Sequence, residues 1–373
     1  MQRALSVVIA AAIVMSACSG SDEAEAVDAT STSAASASTG AEADPTTTSP
    51  ATTSSSSTTS SSTTTTTAGV TGPASPLNGL PVADETLLER RVMAVKIDNH
   101  PQARPQSGIL DADAVIEVLV EGGFTRFIAL FHHSDSEYLG PIRSGRPTDP
   151  GLLQPLGATF TISGAQDWVA GIIVSRGVPI LGEGPGTFRI PSRAAPHNLY
   201  ASTVALREQA DARGFSDEFQ GPLYDVAPWE SLPDEAAEEI SLSYAPGTTI
   251  TWTYDDGVYL RSMGGFSQDW LDAEGARSQI STDVLVVIGG TEYTASPPAG
   301  SGGSSVPATE TTGSGWMLVF TEGTVARGTW TRATYGDPFT FTTEDGEPLT
   351  VPPGFPWISV FPADREVSWT PGS

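Results

Sequence analysis

Gly140-Pro-Ile-Arg-Ser-Gly-Arg146 sets two guanidinium groups three residues apart in a loop shaped by glycine and proline. Such a loop can aim both arginines at one anion, because each offers planar, bidentate hydrogen bonds to a carboxylate or phosphate. The competing use of Arg143 and Arg146 is structural: pairing with Glu117 and Glu121 to neutralise acids on a sheet. Two further loops, Asp98-Asn99-His100-Pro101 and Ala195-Pro196-His197-Asn198, each place a histidine beside proline and asparagine. Polar residues in proline-held loops are candidates for a ligand site, although Asn and Asp also satisfy local backbone groups in turns. With Arg126 these residues define one candidate polar pocket, lined by Asp98, Asn99, His100, Arg126, Arg143, Arg146, His197 and Asn198. The arginines suit an anionic group, and a histidine–asparagine pair suits a hydroxyl or amide.

Other chemistries have less support. Glu117, Glu121 and Arg126 fall on two strands of one hairpin, where a half-buried ionic network competes with acid/base work on a glycan. Asp98, His132, His133 and Asp135 do not read as a metal site, because adjacent histidines on a strand point to opposite faces. The sequence has no Gly-x-Ser-x-Gly elbow, no phosphate-binding loop and no His-Glu-x-x-His. No metal, cofactor or identified catalytic residue is therefore expected. Trp252, Trp316, Trp330, Trp357 and Trp369 read as core rather than as sugar platforms.

The elements that must position these loops begin after a long leader. Residues 4–14 are apolar, too short to span a bilayer, and end at Met15-Ser16-Ala17-Cys18. That pattern fits a secretory signal (1–18) closing in a bacterial lipobox, with Cys18 as the lipidated residue. Cys18 is also the single cysteine, which excludes an intramolecular disulfide. Residues 19–72, rich in Ser and Thr, cannot bury enough apolar area to order themselves and read as a disordered stalk. Beyond it, no segment is long and apolar enough to cross a membrane. The net charge of −26, from 44 acidic and 18 basic residues, argues against nucleic acid as a partner. Between Arg90 and Arg146, however, six arginines and Lys96, the only lysine, face seven acids, so this stretch is locally balanced.

Strands are expected over 91–98, 114–121 and 125–131, the last two joined through Gly122-Gly123. In the second of these, Val115, Glu117 and Leu119 share one face and Ile116, Val118 and Val120 the other, so a carboxylate interrupts an apolar face. Short helices are expected over 149–156 and 166–175 flanking a strand at 158–163. Ser202 caps a further helix ending before Gly214. After about residue 225 strands dominate: 249–254 and 258–262 around Asp255-Asp256-Gly257, then 283–288, 316–320, 326–332 and 357–361. Residues 295–314 read as a loop. The expected class is α+β, a layered mixed-sheet domain (73–224) followed by a β-rich domain (225–373).

Several stretches resemble the YerB-like lipoprotein family of bacteria, defined by domains of unknown function. They are Ala94-Val-Lys-Ile-Asp-Asn-His-Pro-Gln-Ala-Arg-Pro-Gln-Ser-Gly108, Glu117-Val-Leu-Val-Glu-Gly-Gly-Phe-Thr-Arg-Phe127, Gly140–Arg146 and Ala195-Pro-His-Asn-Leu-Tyr200. Gly257-Val-Tyr-Leu-Arg261, Arg327-Gly-Thr-Trp330 and Pro352-Pro-Gly-Phe-Pro-Trp-Ile358 continue the series. One departure is Asp283, where the family pattern leads one to expect asparagine. The resemblance implies two adjoining family domains and supplies no activity. The resulting expectation is a non-catalytic protein on the extracytoplasmic face of the membrane, held there by its N-terminal lipid. Its polar pocket would bind peptidoglycan, another anionic wall polymer or an envelope enzyme. The alternative is a hydrolase or transferase of wall glycan or peptide using Glu121 or His197 as acid/base.

Overall fold

The computed structural model describes residues 71–372 of the protein. The signal segment with Cys18, and the stalk up to residue 70, lie outside these residues. Among the described residues, no helix is long and apolar enough to cross a membrane.

Strands build the frame of the molecule, and the central ones are buried on both faces. Ala114–Leu119 and Thr125–Phe131 pair antiparallel with Glu117 opposite Phe127, and Met93–Asp98 pairs with the second of them so that Asp98 faces Arg126. These strands are interior members of an eleven-stranded sheet, the seventh to ninth in its order. The sheet continues across residue 225: Pro356–Pro362 lies parallel to Ala114–Leu119 on one side and to Val284–Gly290 on the other. Gly313–Thr321, Thr324–Arg332, Thr340–Thr343 and Pro348–Leu349 extend that half, and Thr159–Thr161 and Ile180–Leu181 extend the other. A second sheet of six strands is built around Glu239–Ala245, Thr248–Asp255 and Val258–Met263. The last two are joined by Asp256 and Gly257, both at positive φ, as a two-residue hairpin requires.

Each face of the large sheet carries its own core, as the alternation dictates. Ile116, Val118, Ile128, Val286 and Ile358 pack with Leu152, Leu153, Val169 and Ile173 from two short helices. Val115, Phe127, Val287 and Trp357 pack on the opposite face with Ile240, Leu242, Ile250 and Trp252 of the second sheet, and with Leu206 of a third helix.

The class is mostly β rather than the α+β expected. The described residues contain three α-helices, Asp149–Leu153, Asp167–Ser175 and Thr203–Ala212, the last capped by the Ser202 side chain on Ala205 N–H. The first stops short of its expected end because Pro155 has no N–H for the Gly151 carbonyl. Arg332 Nη2 donates to that carbonyl instead, at 2.7 Å. Residues 295–314 are not simply a loop either. Val306–Thr309 pairs with Glu292–Ala295, its Val306 and Ala308 buried behind a composition of Gly, Ser and Pro. Asp283, in place of the asparagine the resemblance leads one to expect, accepts Phe355 N–H on Oδ2 at 2.6 Å.

Candidate functional site

The Thr159–Thr161 strand accompanies Met93–Asp98 only as far as Val95, and the Gly140–Arg146 loop takes its place beyond. Asp98 N–H donates to Pro141 O at 2.9 Å, Arg143 N–H to Lys96 O at 2.8 Å, and Ile142 N–H to Leu199 O at 2.7 Å. The loop is thereby wedged between the end of Met93–Asp98 and the Leu199–Ala201 strand. Gly140 is needed for that fit, since a Cβ there would come within 2.8 Å of the Tyr200 ring. Arg143 and His197, one on the wedged loop and one just before its neighbour strand, are so brought to the same carboxylate.

That carboxylate is Asp98, 2% exposed. Its Oδ2 accepts from Arg143 Nε at 3.1 Å and lies 2.7 Å from His197 Nδ1, while its Oδ1 accepts His100 N–H at 3.1 Å. The His100 and His197 rings stack with centroids 5.1 Å apart and planes 15° from parallel. Partial burial, and then the neighbouring His197, holds His100 below the usual histidine range despite Asp98.

A second group adjoins it on the same sheet face. Arg126 donates from Nη1 to Ser144 O at 2.9 Å, fixing the loop from below. Arg146 donates from Nε to Glu121 Oε2 at 2.8 Å and from its backbone N–H to Asp149 Oδ2 at 2.7 Å. Asp149 in turn takes Lys96 Nζ at 2.7 Å, so the only lysine is spent in an ion pair with no exposure on either side. Burial pushes Arg126 down to about 10, with Arg146 and Arg143 adding like charge against the opposing pull of Asp98. Burial also raises Glu121, but the hydrogen bond and charge of Arg146 outweigh it and leave Glu121 below its usual range. Four cations, Arg126, Arg143, Arg146 and Lys96, thus meet three carboxylates, Asp98, Glu121 and Asp149, leaving a net positive cluster on a protein of charge −26.

Two of the eight expected pocket residues turn away. Asn198 accepts from Arg189 Nη1 at 2.7 Å, in an exposed group with Glu183. Asn99 is fully buried and points into the space between the sheets. There its Oδ1 accepts from Arg104 Nε, Gln106 Nε2 and Gln268 Nε2 at 2.8–3.0 Å, and its Nδ2 donates to Thr125 Oγ1. Glu117 lies on the opposite sheet face from Arg126, so it pairs with neither Arg126 nor Arg143. Its partner is Arg261, and Trp357 Nε1 donates to its other oxygen at 2.9 Å. His132 is buried against Phe219, His133 Nδ1 lies 3.1 Å from Asp113 Oδ1, and Asp135 pairs with Arg90 and Arg207, all apart from Asp98. Sequence reasoning missed Arg104, Gln268 and Arg261. Arg104 and Arg261 sit inside stretches that carry the family resemblance, and Gln268 carried no signal.

The comparisons with known proteins match this architecture. Residues 77–216 match the family described as "Protein of unknown function (DUF3048) N-terminal domain", and residues 240–358 match its C-terminal domain. The Bacillus subtilis (strain 168) protein named "Putative lipoprotein YerB" is 30% identical over 210 residues, which cover 51% of this chain and 60% of that protein. The chain therefore aligns with less than two thirds of that relative's length. The crystal structure of YerB from Bacillus subtilis superposes with a TM-score of 0.66 at 26% identity, covering 79% of this chain and 99% of that one.

Proposed function

The chain belongs to the YerB-like family of tandem DUF3048 domains, and on that premise we propose that it is a lipid-anchored protein of the extracytoplasmic face of the membrane. Cys18 carries the lipid, residues 19–72 form the stalk, and the head binds an anionic group of the cell wall without chemical turnover. The observation that supports this reading most is the meeting of Arg143 and His197 on the single carboxylate of Asp98, with Arg126 and Arg146 beside it. Arginine held by Nε alone keeps its outer nitrogens for a carboxylate or phosphate. Arg143 is so held, and its side chain is 25% exposed. A partner enzyme of the envelope with an acidic surface is the second occupant of the same chemistry.

The test is co-sedimentation of the detergent-solubilised full chain with purified cell wall, before and after removal of its acidic polymers. Binding that disappears with the polymers, and with Arg143→Ala in a folded variant, is the expected result. Equal retention of wild type and Arg143→Ala would sink the reading. A hydrolase or transferase reading draws on one contact, His197 Nδ1 at 2.7 Å from Asp98 Oδ2, which leaves Nε2 as a potential base. Soluble fragments released from the same wall preparation, and not released by His197→Gln, would favour that reading instead.

A further inference from the structure

We propose that the cleft between the Arg104–Pro105 turn and the Met263–Phe266 hairpin end binds one acidic saccharide unit. It has a volume of about 280 Å³ and is lined by Arg104, Met263, Phe266, Gln268, Asp269 and Arg277, among others. That is near the lower end for small-molecule sites, roughly 300–1,000 Å³, and suits a single sugar-sized group.

The lining carries the argument. Phe266 is 79% exposed, the most exposed large apolar side chain among the described residues. It follows Gly264 and Gly265, both at positive φ, in a tight turn that pairs Met263 with Phe266. An aromatic ring held out of the core on the rim of a polar cleft offers an apolar face where a sugar ring can stack. Arg104 is fixed rather than mobile: Nε donates to Asn99 Oδ1 at 3.0 Å and Nη2 to Asn99 O at 2.7 Å. Arg277, 61% exposed, stands 3.6 Å from Asp269, a loose pair that a ligand can share. Two guanidinium groups suit a carboxylate or phosphate, whereas Asp269 in the same wall repels a bare anion and accepts from hydroxyls. Donors, one acceptor and one ring face together fit an acidic sugar better than an inorganic ion.

The cleft also adjoins the Asp98 cluster. One turn of helix, Pro101–Ala103, separates His100 from Arg104, and His100 feels the charges of both Arg143 and Arg104. An acidic glycan chain could engage both places. The inference rests on the anion site proposed above only in taking the ligand to be such a chain.

Isothermal titration of the full chain in detergent tests it with three probes: tri-galacturonate, the neutral trisaccharide of N-acetylglucosamine, and inorganic phosphate. Tri-galacturonate should bind at least about tenfold more tightly than either other probe. Phe266→Ala and Arg277→Gln should each weaken it by about threefold to tenfold, the worth of one stacking or charge-assisted contact. If these variants weaken binding and Arg143→Ala does not, the cleft stands and the Asp98 site falls. If only Arg143→Ala weakens it, the Asp98 site stands and the cleft is overturned. Absence of tri-galacturonate binding, or phosphate binding equally well, would also overturn the cleft.

Discussion

Glu117 and Arg261 meet at 2.7 Å with neither side chain exposed, 144 residues apart in the chain. Glu117 interrupts an apolar strand of the large sheet, and Arg261 comes from the sheet packed against it. The guanidinium also lies 5.1–5.4 Å from the ring centroids of Trp357, Trp252 and Phe127, and its Nε donates to Gln268. Removing one partner leaves a buried charge without compensation, at a cost of about 3–5 kcal/mol. Glu117→Gln should lower the urea midpoint accordingly, read by tryptophan fluorescence. The double replacement Glu117→Leu with Arg261→Met should cost less than the sum of the singles, because no orphan charge remains. A fully stable Glu117→Gln variant would show that this pair does not tie the sheets together.

The strand order yields a second expectation. Pro356–Pro362 sits between Val284–Gly290 and Ala114–Leu119, so the hydrogen-bond ladder of each half of the chain is completed by the other. Expressed separately, residues 73–224 and 225–373 would each present a bare interior strand edge, which favours aggregation. Each piece alone should be insoluble or lack dispersed amide resonances, and co-expression should restore a soluble complex. A monomeric, cooperatively unfolding 73–224 fragment would contradict this.

Much of this frame was legible in the sequence, and the exceptions have a common cause. The alternation across Ala114–Leu119 correctly divides Val115, Glu117 and Leu119 from Ile116 and Val118, and the Asp256-Gly257 turn is visible as chemistry. Periodicity says which residues share a face but not which distant strand lies across from it. Glu117 was therefore readable as an anomaly, while Arg261 was not readable as its partner. The same limit divided the loop residues. His197 and Asn198 are adjacent and so point in different directions, one to Asp98 and one to Arg189. The helical content was overestimated where Pro155 ends the first helix early, and the strand at Val306–Thr309 was hidden by its glycine- and serine-rich surroundings.

Acid should destabilise the head through His132. Burial, ahead of the nearby His133, Arg207 and Arg90, pushes its imidazole down from 6.5 to about 4. The unfolded chain therefore binds a proton between these values that the folded chain does not, so stability rises with pH across that window and is lost as pH falls from 6.5 towards 4. At about 1.4 kcal/mol per unit the effect is on the order of 3 kcal/mol. His132→Phe, whose ring can keep the stacking on Phe219 at 4.3 Å, should flatten the urea-midpoint profile between pH 4 and 6.5. An unchanged slope would assign the acid sensitivity to other groups.

Membrane attachment should depend on Cys18. The apolar segment at 4–14 is shorter than the roughly 20 residues a spanning helix requires, and no described helix could substitute for it. A single acyl chain holds a protein only reversibly, so the stable attachment proposed here requires the multiple chains of a processed lipoprotein cysteine. Cys18→Ala removes the thiol proposed to accept the lipid and leaves every residue of the head unchanged. The variant should therefore accumulate as unprocessed precursor or appear in the soluble fraction. Membrane fractionation, with mass spectrometry of the N-terminal peptide, reads both results directly. A Cys18→Ala protein that is cleaved and still retained by the membrane would mean that the head or stalk, rather than a lipid, supplies the attachment.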